Sequence, residues 1–239
     1  MIIFPAIDIK GGKCVRLLKG DFNKVTQYEK SPINQANEFS GLGFKNIHLV
    51  DLDGALNGEL INKSVIKEIC KINGIKLQVG GGIRTLDHIK KILDFGADKI
   101  IIGTAGIENI KFLEEACDRF KNKIAVSIDV RNKYIALSGW KKQTDILASD
   151  FIKKIEKIKI ARIIYTDINK DGTKLGPNLS ETLDLSKLTT IPLLISGGVA
   201  SIKDVINVKK NKFKNIEGII IGKAIYDGTI DINELSKII

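Results

Sequence analysis

Residues Gly80–Ala105 read GGGIRTLDHIKKILDFGADKIIIGTA, and Gly197–Ala224 read GGVASIKDVINVKKNKFKNIEGIIIGKA. Each runs from a glycine pair through an amphipathic stretch to three isoleucines, a glycine and a small or basic residue. A β-branched triplet closed by glycine is a strand signal, and the stretch before it has helical period. Each copy therefore reads as turn, helix, strand. The same alternation continues outward on both sides. The runs IIFPAI, NIHLV, KLQV, DKIIIG, KIAVSI, RIIYT, PLLIS and GIIIG are candidate strands. Helical periodicity appears in INQANEFSGLG, NKSVIKEICKI, TLDHIKKILDFG, IENIKFLEEACDRF, TDILASDFIKKIEKI, LSETLDLSKL, SIKDVINVKK and DINELSKII. Strands that are apolar on both faces and alternate with helices indicate a parallel sheet. Eight such units in 239 residues favour a closed α/β architecture, the (β/α)8 or TIM barrel, over an open sheet.

The repeat extends beyond the quoted segments. FPAIDIKGGK matches AVSIDVRNKY, which pairs Asp8 with Asp129, and HLVDLDGALNGEL matches IYTDINKDGTKLGPNL, which pairs Asp51 with Asp167. Equivalent pairs lie about 120 residues apart, a period that fits a duplicated half barrel rather than a solenoid. The expectation is one barrel over residues 1–239, with half barrels at about 1–122 and 123–239 and no linker between them.

Composition narrows the function. The formal charge is +10, but the lysines are spread along helix faces such as IKKIEKIKI without an arginine–aromatic cluster. That pattern reads as solvated surface, so no nucleic-acid partner is expected. Cys14, Cys70 and Cys117 are odd in number and far apart, which suggests free thiols in a reducing compartment. His48 and His88 are too few and too separated for a histidine-based metal site, so no metal is expected. MIIFPAIDIKGGK has too short an apolar run for a signal peptide or a membrane span. A cytoplasmic protein without membrane association is expected.

Glycine where a barrel strand turns into its helix lets backbone approach a ligand, and free N–H groups there bind anions. The N-terminal copy would use Gly82, Gly103 and Thr104. The C-terminal copy would use Gly198 and Gly222, with Gly176 contributing from DGTKLGPN. Two such sites at one barrel mouth imply a long substrate with a phosphate at each end. The alternative is that the glycines only make tight turns. Asp8 and Asp129 end strands on opposite sides of the barrel, where carboxylates face the ligand and could act as general base and acid. An ordinary Asp titrates near ~3.9, so the acid must be desolvated or sit near another carboxylate. Asp51, Asp167 and Asp171 are available as such neighbours; loop capping is the alternative role for Asp8 and Asp129. Arg16 and Arg84 could pair with phosphate or carboxamide, or lie on the surface. Trp140 could stack on a planar ring or simply pack. His48, inside NIHLV, reads as a satisfied core histidine.

FPAIDIKGGKCVRLLKGDF, HLVDLDGALNG, VGGGIR, GTA, SIDV, SGW, TDINKDGTKLGPN, SGGV and IIGKA occur in that order along nearly the whole chain. Together they resemble the histidine-biosynthesis isomerase family, a duplicated (β/α)8 barrel acting on a bisphosphorylated ribotide. The resemblance implies an Amadori rearrangement by proton transfer alone, without a cofactor or obligatory protein partner, in a monomer. It implies Asp8 as the general base and Asp129 as the usual acid, with Asp171 an alternative acid. It also implies that Thr166 orients the acid and that Trp140 stacks on the aminoimidazole ring when the site is closed. Gly11 and Gly106 depart from the family pattern at loop positions away from the proton transfers. Three rival readings remain. One is an isomerase that also takes phosphoribosyl anthranilate, one the paralogous cyclase subunit with its glutaminase partner, and one a non-catalytic bisphosphate-binding barrel.

Overall fold

The computed structural model describes every residue except Lys19 and Lys212. Strands β1 (Ile2–Lys10), β2 (Lys13–Leu18), β3 (Asp21–Gln27), β4 (Asn46–Asp51), β5 (Lys76–Gly80) and β6 (Lys99–Ile102) come from the first half of the chain. Strands β7 (Ile124–Arg131), β8 (Tyr134–Leu137), β9 (Lys142–Leu147), β10 (Arg162–Asp167), β11 (Leu193–Ser196) and β12 (Ile216–Ile221) come from the second. Eight of them run parallel in the order β10-β11-β12-β1-β4-β5-β6-β7, and β7 pairs back with β10 to close the barrel. These are the eight strands expected from the sequence. In the closed ring β1 and β7 stand four strands apart, on opposite sides.

The isoleucine triplets owe their form to strand period. Ile101 and Ile220 point inward and pack with Phe4, Ala6, Ala125, Ile164 and Leu194 to fill the barrel. Their neighbours Ile100, Ile102, Ile219 and Ile221 point outward into the larger core between strands and helices. A side chain on either face is thus buried, each worth roughly 1.5–3 kcal/mol relative to exposure.

Two expected helices are altered. TDILASDFIKKIEKI forms a helix only over Ala148–Ile155, because Lys142–Leu147 is a strand that pairs with β8 and closes a hairpin. IENIKFLEEACDRF is split at Asn109, which is extended and whose side chain accepts from Phe112 N to start the helix Ile110–Arg119. The other hairpin, β2 with β3, follows β1 at the matching place in the first half.

Candidate active site

The carboxyl ends of the strands surround a cavity of about 250 Å³. Asp8, Arg16, Gly82, Arg84, Gly103 and Thr104 reach its wall from the first half, and Asp129, Trp140, Thr166, Asp171, Gly198 and Gly222 from the second. Asp51 and Gly176 lie behind the wall.

Their position has a clear cause. Asp51 ends β4 and is fully buried. Its Oδ1 accepts from Gly54 N at 2.9 Å and Asn62 Nδ2 at 2.7 Å, and its Oδ2 from Ile61 N at 3.1 Å and Asn62 N at 2.8 Å. Both oxygens are occupied in shaping the loop, so Asp51 is not placed to bind substrate. Asp167 does the same at the end of β10, accepting from Asn169 N at 2.9 Å and Asn178 Nδ2 at 2.7 Å. The glycine pairs seat on these loops. Gly81 has φ +99°, and a Cβ there would press into the Asp51 carbonyl oxygen. Gly197 has φ +87°, and a Cβ would come within 2.8 Å of the Asp167 carbonyl oxygen. Gly176 stands directly beneath Gly198, donating N–H to the Gly198 carbonyl at 3.0 Å. It therefore supports the turn rather than facing the cavity.

The glycines after β6 and β12 also match. Gly103 has φ −104°, ψ −110°, and Gly222 has φ −109°, ψ −103°. The short helices they introduce, Thr104–Glu108 and Lys223–Tyr226, begin with N–H groups that have no partner within a helix. Lys223 stands where the first copy has Thr104, and it reaches the same wall. The contrast of GTA with GKA in the sequence carries that signal.

The carboxylates have unlike surroundings. Arg16, on β2, donates from Nη1 to Asp8 Oδ2 at 2.5 Å and from Nη2 to the Ala6 carbonyl, with its guanidinium 4.8 Å from the centre of the Tyr226 ring. It is buried, which rules out the surface role. Among the described residues Asp129 pairs with no such cation. Burial raises its pKa, while donors on Trp140, Ser127 and Thr166 hold it back. The Ser127 hydroxyl lies 2.8 Å from Asp129 Oδ1. Thr166 sits beside Asp129 in register on β10. Ser127 was missed in the sequence, although a residue two before Asp129 on a strand shares its face. Asp171, in the loop after β10, is pushed up to about 7 by burial and then by the charge of Asp8, with Arg16 opposing and Asp129 adding.

Two hairpins meet above the cavity. Trp140, with φ +68°, lies so close over Gly20 that a Cβ at Gly20 would enter the indole ring. Lys141 Nζ is 5.5 Å from the centre of the Phe22 ring. Arg84 is more exposed and crosses Gly58 at the rim. His48 is not a simple core histidine: its Nδ1 meets Gln78 Nε2 at 2.9 Å, and its ring borders the cavity.

Residues 2–231 match the family model described as histidine biosynthesis protein. The chain is 53% identical over 238 residues to a 1-(5-phosphoribosyl)-5-((5-phosphoribosylamino)methylideneamino) imidazole-4-carboxamide isomerase of Pelagibacter ubique strain HTCC1062, covering 99% of this chain and 98% of that one. It is 49% identical over 238 residues to a protein of the same name from Bacillus anthracis strain CDC 684 / NRRL 3495, covering 100% of this chain and 98% of the relative.

Proposed function

The chain belongs to the histidine biosynthesis protein family, and from that premise we propose how its barrel carries out the isomerisation for which its relatives are named. The protein is an isomerase that converts the aminoaldose ribosyl group of the formimino imidazole carboxamide ribotide to the aminoketose. The observation that carries the mechanism is the arrangement of the mouth: two matched glycine cradles flanking carboxylates in unlike surroundings.

In this reading the cradle of Gly82, Gly103 and Thr104 holds one phosphate, and that of Gly198, Gly222 and Lys223 the other. Arg84 stands beside the first cradle. A substrate held at both ends lays its reacting ribose between Asp8 and the acid. Ring opening moves a proton to the ring oxygen as the C1′–O bond breaks and the nitrogen lone pair forms a Schiff base. Asp8 then takes the C2′ proton, and the C–H electrons form the C1′–C2′ double bond of an enolamine. The C2′ hydroxyl gives up its proton and C1′ regains one, which completes the ketose with no net change in atoms or electrons.

Asp171 is the better proton donor. Its raised pKa of about 7 leaves about half of it protonated at pH 7, and its shift is caused by burial and by Asp8. Burial raises the Asp129 pKa as well, but donors on Trp140, Ser127 and Thr166 oppose the rise and favour its charged form. Asp129 acts as the like-charged neighbour that helps keep the Asp171 proton in place, with Thr166 and Ser127 fixing its orientation. Trp140, at the closing hairpins, supplies a flat face for the aminoimidazole ring. The halves 1–122 and 123–239 form one domain that works as a monomer. Among the described residues no helix is long and apolar enough to cross a membrane.

Turnover of the purified protein on the formimino ribotide, and separately on phosphoribosyl anthranilate, tests this reading. Activity on the first is expected; binding without turnover on either would overturn it.

A further inference from the structure

The floor of the cavity holds a histidine that neither proton transfer uses. His48 lies on β4 with Gln78 beside it in register on β5. Gln78 Nε2 is 2.9 Å from His48 Nδ1, and Gln78 Oε1 is 3.2 Å from Arg162 Nη1. Arg162 begins β10, so this contact crosses the barrel interior. Its Nη2 donates to Glu217 Oε1 at 2.8 Å, and its guanidinium lies 5.3 Å from the centre of the Phe4 ring. Arg162 is thus pinned from two further sides.

Chemistry fixes the direction of every bond in this chain. A guanidinium has donors and no acceptor, so Arg162 donates to the Gln78 carbonyl oxygen. Gln78 must then turn its NH2 group toward His48. An amide NH2 only donates, so Nδ1 accepts through its lone pair and the ring proton is on Nε2. An imidazolium has no lone pair to offer, so the ring is neutral. Burial and then the charge of Arg16 act in the same direction, lowering the pKa of His48 to about 3. The ring lines the cavity, and among the described residues its Nε2 has no hydrogen-bond partner.

We infer that His48 is a fixed, neutral Nε2–H donor that contacts the reacting sugar, and that Gln78 and Arg162 are positioning residues that set its tautomer. The role assigned to the sugar contact rests on the isomerase reading above. Removal of the C2′ proton makes the oxygen on C2′ first enolic and then carbonyl. A neutral donor stabilises that oxygen without competing for the proton that Asp8 takes. His48 itself transfers no proton.

The chain has two histidines, so nitrogen-15 spectra of the imidazoles are simple to assign. His88 Nδ1 faces the Gly82 carbonyl at 3.1 Å, which makes Nδ1 the protonated nitrogen of its neutral form. At pH 8 the wild-type protein is expected to show opposite tautomers, His48 protonated on Nε2 and His88 on Nδ1. A His48 protonated on Nδ1, or doubly protonated, overturns the inference, and this arm needs neither a variant nor activity. Gln78→Glu keeps the shape and the Arg162 contact but replaces the donor facing His48 with an acceptor. His48 must then take a proton on Nδ1, and kcat is expected to fall about 100-fold with KM little changed. A variant whose His48 is neutral and protonated on Nδ1 alone, yet turns over like wild type, overturns the catalytic role. Loss through KM alone, with kcat kept, does the same.

Discussion

Asp8 and Asp129 stand at matching strand ends in the two halves of the chain, yet their partners differ. Asp8 is ion-paired with a buried arginine, Arg16. Asp129 has a serine hydroxyl at 2.8 Å, a threonine beside it in register and a raised pKa caused by burial. The cradles behave differently. Asp51 with Asn62 and Asp167 with Asn178 repeat the same 2.7 Å bond, Gly81 and Gly197 each press on the carbonyl of that Asp, and Gly103 and Gly222 share backbone angles within about ten degrees. On the proposed function, two like phosphates call for like backbone, and two opposite proton movements call for unlike surroundings. That reading makes the halves alike where they would bind and unlike where they would react.

The largest expected effect is at Asp8. Asp8→Asn should lower kcat by about 1,000-fold while affinity for the ribotide stays largely intact, measured by steady-state kinetics and direct binding. Equal loss of both would mean that Asp8 holds substrate rather than moving a proton. Asp129→Asn should cost less, about tenfold in kcat. Removing that negative charge also makes Asp171 easier to ionise, so the alkaline limb of the rate profile should move to lower pH. An unmoved limb would break the proposed coupling between the two carboxylates.

Smaller effects probe the matched cradles. Gly81→Ala and Gly197→Ala both place a Cβ at positive φ against a carbonyl oxygen, and each should cost about 1–3 kcal/mol of stability in denaturant titrations. Gly81→Ala should be the worse, since its Cβ lies closer to the oxygen than the 2.8 Å at Gly197. Equal, negligible costs would show that the loops yield and that the glycines are not required by packing. A separate effect is electrostatic. Asp171 has its ordinary value of 3.8 in the unfolded chain and about 7 when folded. The folded state therefore holds this proton better, and the stability it contributes is present below pH 3.8 and lost as pH rises through about 7. Asp171→Asn has no such loss, so its stability relative to wild type should improve steadily across that window. A flat difference would contradict the shift.

The barrel was legible because its strands are buried on both faces and announce themselves as β-branched runs. The hairpins were not. Asp21–Gln27 and Lys142–Leu147 are half-exposed strands rich in polar residues, held by pairing with a neighbour rather than by their own pattern. The cavity wall was legible at strand ends, where the structure places Asp8, Asp129, Gly82, Gly103, Gly198 and Gly222. It failed where one side chain serves another. Asp51 and Gly176 carry the same residue types as the wall but spend their bonding groups on the loops behind it. Arg16 looks like a surface cation until the hairpin folds it onto Asp8. His48 lies in an apolar run, and its role depends on Gln78 and Arg162, which are 30 and 114 positions away in the chain.

The pH dependence of kcat/KM, compared between wild type and Asp171→Asn, tests the division of labour most directly. The acid must be protonated, so wild-type kcat/KM should fall as pH rises through about 7, the value that burial and Asp8 give Asp171. In Asp171→Asn the rate should be lower throughout and that limb should be absent. A variant that keeps both its rate and its alkaline limb would place the acid elsewhere and contradict the account.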